Sequence, residues 1–402
     1  MGSAWADLRR AALGAALGLA LACQRAAPVG ASAELEVGRR FIAEREFRRA
    51  ALERSLVNRD GDARKRLAHY AVEAGWEALP ILNPELAPIV AGERPELSKL
   101  WSGRVEWSEP ALLELGRRAF EEWPAQRAPG FARLVGSAAS APQLARDRLA
   151  DIGAWVDDRG RVAGLVWVKY VDGSVEPALS CASCHARPDA MGHLVHGIAS
   201  ELDLGQLTGD AWGPGRVDVT VDGSSNPVAV PDLRATRHQR RLHHAGNLVN
   251  SLEALAVRTE TLLITARADV ARPPREIAFA LAYYVWSLGA QRSTPAPPPS
   301  ASFVQACGRC HSGPTGAGEL VADVEVGTDP SATASSARGT GGYRVPSLYG
   351  VSQRPRLTHL GWPIGLPEFL DPSRIGSMPG HAFGFELSQT ERESLARELE
   401  QW

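Results

Sequence analysis

Two short motifs of cysteine and histidine are the residues of this 402-residue chain best suited to carry chemistry. They read Cys181-Ala182-Ser183-Cys184-His185 and Cys307-Gly308-Arg309-Cys310-His311, so both have the form C-x-x-C-H. Two thiols three positions apart can form thioether bonds to the vinyl groups of one porphyrin, and the adjacent His then binds its iron. The spacing therefore predicts two covalently attached haem c groups, anchored by Cys181, Cys184, Cys307 and Cys310 and ligated by His185 and His311.

Zinc binding and a redox disulfide are the alternative uses of these cysteines. A zinc site needs four ligands and gives no reason for a His directly after both second cysteines. A thioredoxin-like pair belongs in a β-α-β setting, which the sequence around neither motif has. Haem attachment is the interpretation that accounts for every residue type in both motifs.

The sixth coordination position decides what each haem does. A second strong ligand favours electron transfer, whereas an open position lets the iron react with a small molecule. For the second motif the candidates are His359, Met378 and His381. Met378 precedes a proline near the final helix, where small cytochromes commonly place this ligand, but His381 is the stronger donor. We predict His381, with Met378 as the alternative.

The first motif has its own set of candidate distal residues. Met191, His193 and His196 follow too closely to reach the opposite face of the ring easily. His243 and His244 come just before a predicted helix that could lie over the porphyrin. One of these two is predicted as a distal ligand or distal-pocket base, and ordinary hydrogen-bonded structure is the alternative.

The amino terminus has the features of an export signal. Arg9 and Arg10 precede an apolar run over 11–22, which is built almost entirely of Ala, Leu and Gly and is too short to span a membrane. Cys23 follows, as the lipidated cysteine of a bacterial lipobox would. We expect residues 1–22 to be a signal peptide and the chain to lie in the periplasm of a bacterium or on a membrane through lipidated Cys23.

Composition excludes two other classes of protein. The 44 Lys and Arg residues balance 46 Asp and Glu residues, so the chain lacks the basic character of a nucleic-acid binder. No apolar run reaches the roughly 20 residues of a membrane helix, which excludes a polytopic membrane protein. The 44% of hydrophobic residues is typical of a globular protein, and 402 residues are enough for two or three domains.

The spacing of apolar and turn-forming residues predicts the elements that position the motifs. Helices are expected over 110–123, 251–266 and 274–288, and a strand over 162–170. A proline-rich segment over 293–300 lies between the two motifs. Such a segment cannot sit inside packed secondary structure, so it is predicted to be a linker at a domain boundary. Ser388 and Glu391 form a capping-box pattern that predicts a terminal helix.

Further blocks of sequence lie between and after the motifs. They are Trp212-Gly-Pro-Gly-Arg216-Val-Asp218, Asn226-Pro227, Val230-Pro-Asp-Leu233, Tyr343-Arg-Val-Pro-Ser-Leu-Tyr-Gly350, His359-Leu-Gly361 and Gly380-His381-Ala-Phe-Gly384. Together they resemble exported di-haem cytochromes related to bacterial cytochrome c peroxidase, the methylamine-pathway di-haem enzyme and the rubber oxygenases. The resemblance covers residues 105–402. One position departs from it, since Leu360 stands where the family has an acidic or amide residue.

The resemblance implies a reactive haem at the first motif and a haem at the second that passes electrons to or from it. His311 and His381 would hold the second. Peroxidase chemistry needs a base to move a proton and a group to stabilise the departing hydroxide. His243, His244 and Arg216 are the catalytic candidates for these roles. The implied partners are a periplasmic electron-transfer protein and a small oxidant such as peroxide.

We therefore predict a mainly α fold with two cytochrome c-like haem domains, a helical amino-terminal extension and a few short strands. The predicted bounds are 23–104 for the extension, 105–292 for the first haem c domain and 301–402 for the second. The predicted function is that of an exported di-haem c-type cytochrome that transfers electrons, with peroxidase-like reduction of a small oxidant at the first haem. The alternative is a purely electron-transferring cytochrome whose haems are both six-coordinate.

Overall fold

The fold of this protein consists of α-helices and several small antiparallel sheets. The computed structural model describes residues 29–58, 64, 75–90, 96–135, 142–220, 222–265, 271–289 and 298–402. It has 39% helix and 16% strand, and the strands form several small sheets. The prediction of a mainly α fold is therefore wrong, and the extension predicted to be helical contributes two strands.

Some predicted features lie outside the described residues. They are the signal peptide over 1–22, the lipid-bearing Cys23 and most of the linker over 293–300. Among the helices that are described, none is both long enough and apolar enough to cross a membrane.

The α-helices are α1 Val29–Ala43, α2 Arg45–Ser55, α3 Glu109–Glu122, α4 Phe131–Val135, α5 Pro142–Asp151, α6 Cys181–His185, α7 Leu204–Thr208, α8 Leu252–Thr265, α9 Arg275–Leu288, α10 Ala301–Ala306, α11 Asp323–Val326, α12 Leu366–Phe369 and α13 Gln389–Leu399. The strands are β1 Glu85–Val90, β2 Ser98–Lys99, β3 Gln126–Arg127, β4 Arg161–Lys169, β5 Val175–Leu179, β6 Ala186–Pro188, β7 Leu194–His196, β8 Arg216–Val217, β9 Val228–Ala229, β10 Arg241–Leu242, β11 Leu248–Val249, β12 Leu320–Ala322 and β13 Gly342–Arg344.

A five-stranded antiparallel sheet leads into the first motif. Its strand order is β2-β1-β4-β5-β3. The strand predicted over 162–170 is confirmed as β4, which pairs with β5 so that Leu165 lies opposite Leu179. Strand β1 joins β4 from the extension, with an irregular register between Pro88 and Val90. Proline is tolerated in strands at such bulges. It also interrupts the run of β-forming residues by which a strand is recognised in a sequence.

Helices α3, α8 and α9 build the main helical core. Helix α9 packs against both α3 and α8, and α1 and α2 cover α8 and α9. Ser108 caps the amino-terminal end of helix α3, since its hydroxyl oxygen accepts the N–H of Ala111, and the helix ends before Pro124. Phe279 and Tyr283 on α9 are buried and stacked, with ring centroids 5.9 Å apart. The structure confirms the helices predicted over 110–123, 251–266 and 274–288.

The carboxyl-terminal part has its own hydrophobic core. Phe303 on α10 stacks on Trp402, with ring centroids 5.3 Å apart, and Leu395 is buried in the same cluster. Helix α13 begins with the predicted capping box, in which Ser388 and Glu391 bond to each other's backbone N–H. This core supports the segment that carries the second motif.

Candidate haem-binding sites

The one-and-a-half-turn helix α6 carries the first motif. Its thiols, Cys181 and Cys184, lie on one face because residues three apart on a helix are neighbours. Ser180 fixes the start of the helix. Its N–H donates to the carbonyl of Gly164 at 2.8 Å, and its hydroxyl donates to the carbonyl of Glu121 at 2.7 Å. The motif is thereby tied to both β4 and α3.

Gly164 lets β4 approach α6 closely. Its φ is +69°, and a Cβ at this position would overlap the backbone nitrogen of Ser183, the third residue of the motif. Gly173 offers a matched comparison, since its φ is +85° but no atom lies within 4 Å of where its Cβ would be. Both glycines have left-handed backbones, and only Gly164 also faces a steric barrier.

Replacing Gly164 with alanine is expected to lower the free energy of unfolding by about 2 to 5 kcal/mol, from left-handed strain of about 1 to 2 kcal/mol and overpacking of about 1 to 3 kcal/mol. Gly173→Ala should cost only the strain, about 1 to 2 kcal/mol. Urea unfolding of both variants measures the difference. Equal losses of stability would contradict the close approach of β4 to the motif.

His185 is prepared to act as a neutral metal ligand. Its Nδ1 lies 3.1 Å from the carbonyl oxygen of Pro231, so Nδ1 carries the proton and donates it. Burial lowers the pKa of His185 to about 4, which keeps the ring neutral at physiological pH. Nε2 is left as the unprotonated nitrogen. A backbone acceptor on the other ring nitrogen is the usual support of a metal-bound His.

The second motif has the same local chemistry. Its Cys307 and Cys310 lie on a turn that follows α10, in which the N–H of His311 donates to the carbonyl of Cys307 at 2.8 Å. Nδ1 of His311 lies 2.8 Å from the carbonyl oxygen of Gly316, so it too carries the proton. Burial lowers the pKa of His311 to about 4. Both motifs therefore present two thiols and a bare Nε2.

Each motif lines a cavity. The first cavity has a volume of about 310 Å³ and is bordered by both cysteines and the histidine of the first motif. The second cavity, about 220 Å³, is bordered in the same way by the second motif. Apolar side chains such as Phe120 and Leu281 line the first cavity, and Leu348 and Phe369 line the second. Apolar walls with a few polar groups are typical of cofactor sites.

One layer of residues serves as a wall for both cavities. This shared wall consists of Ala229, Val230, Pro231, Asp232, His244 and Arg344. Two backbone hydrogen bonds join segments of this wall that are distant in sequence. The N–H of Ala229 donates to the carbonyl of His359 at 2.8 Å, and the N–H of Arg344 donates to the carbonyl of His244 at 2.9 Å.

Arginine outnumbers acidic residues around both cavities. The first is lined by Arg258, Arg338 and Arg344, and the second by Arg309, Arg344, Arg354 and Arg356. Asp232 lines both and is the one acid among the described lining residues, but its carboxylate is paired with Arg234 at 2.6 Å. Haem brings propionate carboxylates, and arginine binds carboxylates with two parallel hydrogen bonds. The donor set therefore fits haem.

His381 lies across the second cavity from the motif histidine. The ring centroids of His311 and His381 are 6.4 Å apart, and their planes are inclined by 56°. Two metal–imidazole bonds of about 2.0 to 2.1 Å each, together with the widths of the rings, give a separation of about 6 Å. Nδ1 of His381 is buried with no acceptor among the described residues, and burial lowers the pKa of the ring to about 3. The pair fits one metal ion held between two imidazoles.

Arg374 holds the loop that presents His381, and no motif or spacing in the sequence points to this arginine. Its guanidinium donates to the carbonyls of Met378 at 2.6 Å, Gly380 at 3.0 Å and His381 at 2.8 Å. Met378 packs at the edge of the carboxyl-terminal core and does not line the second cavity. The structure brings His381 to the second motif and leaves Met378 outside the cavity.

His243 lines the first cavity as part of a hydrogen-bonded chain. Nε of Arg258 donates to its Nε2 at 2.7 Å, so Nδ1 carries the proton and donates to Oδ1 of Asn247 at 2.6 Å. The backbone of His243 has a φ of 62°, in the left-handed region that is uncommon for side chains larger than glycine. These two hydrogen bonds fix the tautomer of His243 and the orientation of Arg258.

His244 lies in the shared wall and is neutral. Its Nε2 donates to the carbonyl of Ala229 at 2.8 Å, which leaves Nδ1 as the unprotonated nitrogen. Burial, and next the charge of Arg344, lower the pKa of His244 to about 3. Among the described residues, no second imidazole ring contacts the His185 ring as His381 contacts that of His311. The two sites therefore differ in their histidines.

Arg216 is not brought to the first motif. Its guanidinium donates to the carbonyl of Pro227 at 2.7 Å, and it lines neither cavity. Arg258, and not Arg216, is the arginine that lies beside His243. His359, the third candidate ligand, lines the second cavity but stacks on Tyr343 with ring centroids 3.9 Å apart.

The four motif cysteines are free thiols. No group of three or more His, Cys, Asp or Glu side chains in the described part of the chain lies close enough together to hold a metal ion. Comparison of the chain with protein-family models, with curated proteins and with solved structures found no match.

Proposed function

We propose that this protein is an exported di-haem c-type cytochrome that transfers electrons between its two sites and reduces a small oxidant such as peroxide at the first. The observation that carries the proposal is the pair of C-x-x-C-H turns, each facing a cavity with a bare histidine Nε2. The shared wall supports electron transfer, because it places the two cavities back to back. A periplasmic electron-transfer protein would be the partner.

The second site is suited to electron transfer. His311 and His381 are both neutral, and they face each other at the separation that a shared metal ion requires. Two strong ligands on one haem iron favour electron transfer over binding of a substrate. Arg374 keeps His381 in place by binding the carbonyls on either side of it.

The first site is suited to a small oxidant. Haem supplies an iron that exchanges single electrons and can bind such a molecule at an open position. Reduction of one peroxide consumes two electrons and two protons and releases two waters. Arg258, held by His243, would stabilise the departing hydroxide as a fixed cation. The neutral His244, whose Nδ1 is unprotonated, would accept a hydrogen bond from the bound oxidant, since its pKa of about 3 is too low for it to hold a proton at neutral pH.

Optical spectra of the oxidised and half-reduced protein, with and without cyanide or peroxide, test the proposal. The protein is produced with a c-type maturation system so that haem can attach. We expect two haems per chain, of which one binds cyanide and the other stays low-spin, because only the second site has a facing pair of imidazoles.

A chain that carries no covalent haem would contradict the whole proposal. If both haems stay low-spin and neither binds an added ligand, the enzymatic part is wrong. The alternative, a purely electron-transferring cytochrome, would then describe the protein. Failure of the whole proposal and failure of its enzymatic part are distinguished by the haem content of the chain, which alkaline pyridine spectra measure.

A further inference from the structure

Arg344 is an arginine that belongs to both cavities. It ends β13, and its backbone N–H donates to the carbonyl of His244 at 2.9 Å, so it is fixed to the shared wall. Arg354 and Arg356 line the second cavity, and Arg258 lines the first. The position of Arg344 allows one guanidinium to reach a ligand on either side.

The guanidinium of Arg344 has donors left over for a ligand. One nitrogen, Nη1, donates to the carbonyl of Arg241 at the long distance of 3.4 Å. Nε is buried and has no acceptor among the described residues. Leaving a buried charged donor unbonded costs more than leaving a neutral one unbonded. The arrangement therefore calls for an acceptor that the described part of the chain does not supply.

The charges around Arg344 call for an anion. Burial, and next the charge of Arg354, lower the pKa of Arg344 to about 10, so it remains a cation at neutral pH. Asp232 is the nearby carboxylate, but Arg234 binds it through both of its oxygens. His244 is neutral. The one carboxylate of Asp232 acts on Arg234, Arg344 and Arg354, so a carboxylate entering from either cavity would meet a net positive charge.

We propose that Arg344 binds a propionate carboxylate of each haem and so raises the reduction potential of both. This inference rests on the proposed function. A fixed cation favours the reduced state, which carries one negative charge more than the oxidised state. Arg354, whose buried Nε also lacks an acceptor among the described residues, lines the second cavity only and would act on one haem.

Potentiometric titration of Arg344→Gln, Arg344→Lys and the control Arg354→Gln tests the inference on protein that carries both haems. Each haem is assigned by whether it binds cyanide. Arg344→Gln should shift both reduction equilibria about tenfold toward the oxidised form, which is about 59 mV for a one-electron couple. Arg354→Gln should shift the equilibrium of the second haem alone.

Arg344→Lys keeps the charge and loses the planar pair of donors, so it should shift both equilibria in the same direction by about threefold. If Arg344→Gln does not fold, the shifts measured for Arg344→Lys test the inference in its place. Shifts at one haem only, or at neither, in the variants of Arg344 would overturn the inference. Failure of the proposed function is distinct, because the unmodified protein would then carry no covalent haem to titrate.

Discussion

Replacing Cys181 and Cys184 with alanine is expected to halve the covalently bound haem, from two groups per chain to one. The paired change Cys307→Ala and Cys310→Ala should halve it as well, and all four changes together should abolish it. The reason is that each motif places its thiols on one helical turn at the edge of its own cavity. Alkaline pyridine spectra and the intact mass of the chain measure the haem content.

The two double variants are each other's control. They should retain different haems, so that the one lacking the second motif keeps the haem that binds cyanide. Retention of both haems after loss of either thiol pair would show that the motifs do not attach haem. A mass that shows disulfides and no haem in the unmodified chain would support the redox alternative instead.

Replacing His381 with glycine is expected to have the next largest effect, complete loss of the low-spin spectrum of the second haem. The ring of His381 lies opposite that of His311, with centroids 6.4 Å apart, and a glycine removes the imidazole that faces His311. The variant should bind cyanide at both haems, because the second site then has an open position. The spectrum of the first haem should not change.

Met378→Ala is the matched control, since Met378 belongs to the same loop and lies outside the second cavity. It should leave both spectra unchanged and cost stability only through lost packing at the core edge. An unchanged spectrum in His381→Gly together with a changed one in Met378→Ala would reverse the assignment of the ligand.

Long regular elements could be predicted from the sequence, and short ones could not. Helix α3 has a capping serine, a periodic apolar face and a terminating proline, so its signals are local. Strands such as β8 and β9 have two residues each, too few for any alternation to appear. In β1 a proline interrupts the pattern, and the strand forms because β4 supplies pairing partners that lie 71 to 84 residues further along the chain.

The prediction of haem attachment likewise depends on a local pattern, because all five residues of each C-x-x-C-H motif are contiguous in the sequence. The distal groups depend on contacts between distant segments. His381 meets His311 through a loop held by Arg374, and no spacing rule points to that arginine. Arg216 and Arg258 are equivalent by residue type, and only the fold shows which one lies beside His243.

The shared wall also bears on whether the chain divides into modules. The second cavity is closed partly by residues from 229–232 and by His244, which belong to the part of the chain before the linker. Residues 301–402 on their own would carry the second motif, His381 and the carboxyl-terminal core, yet that cavity would be open on one side. The segment is therefore unsuited to excision or transplantation as an independent unit, and changes to the wall cannot be confined to one of the two cavities.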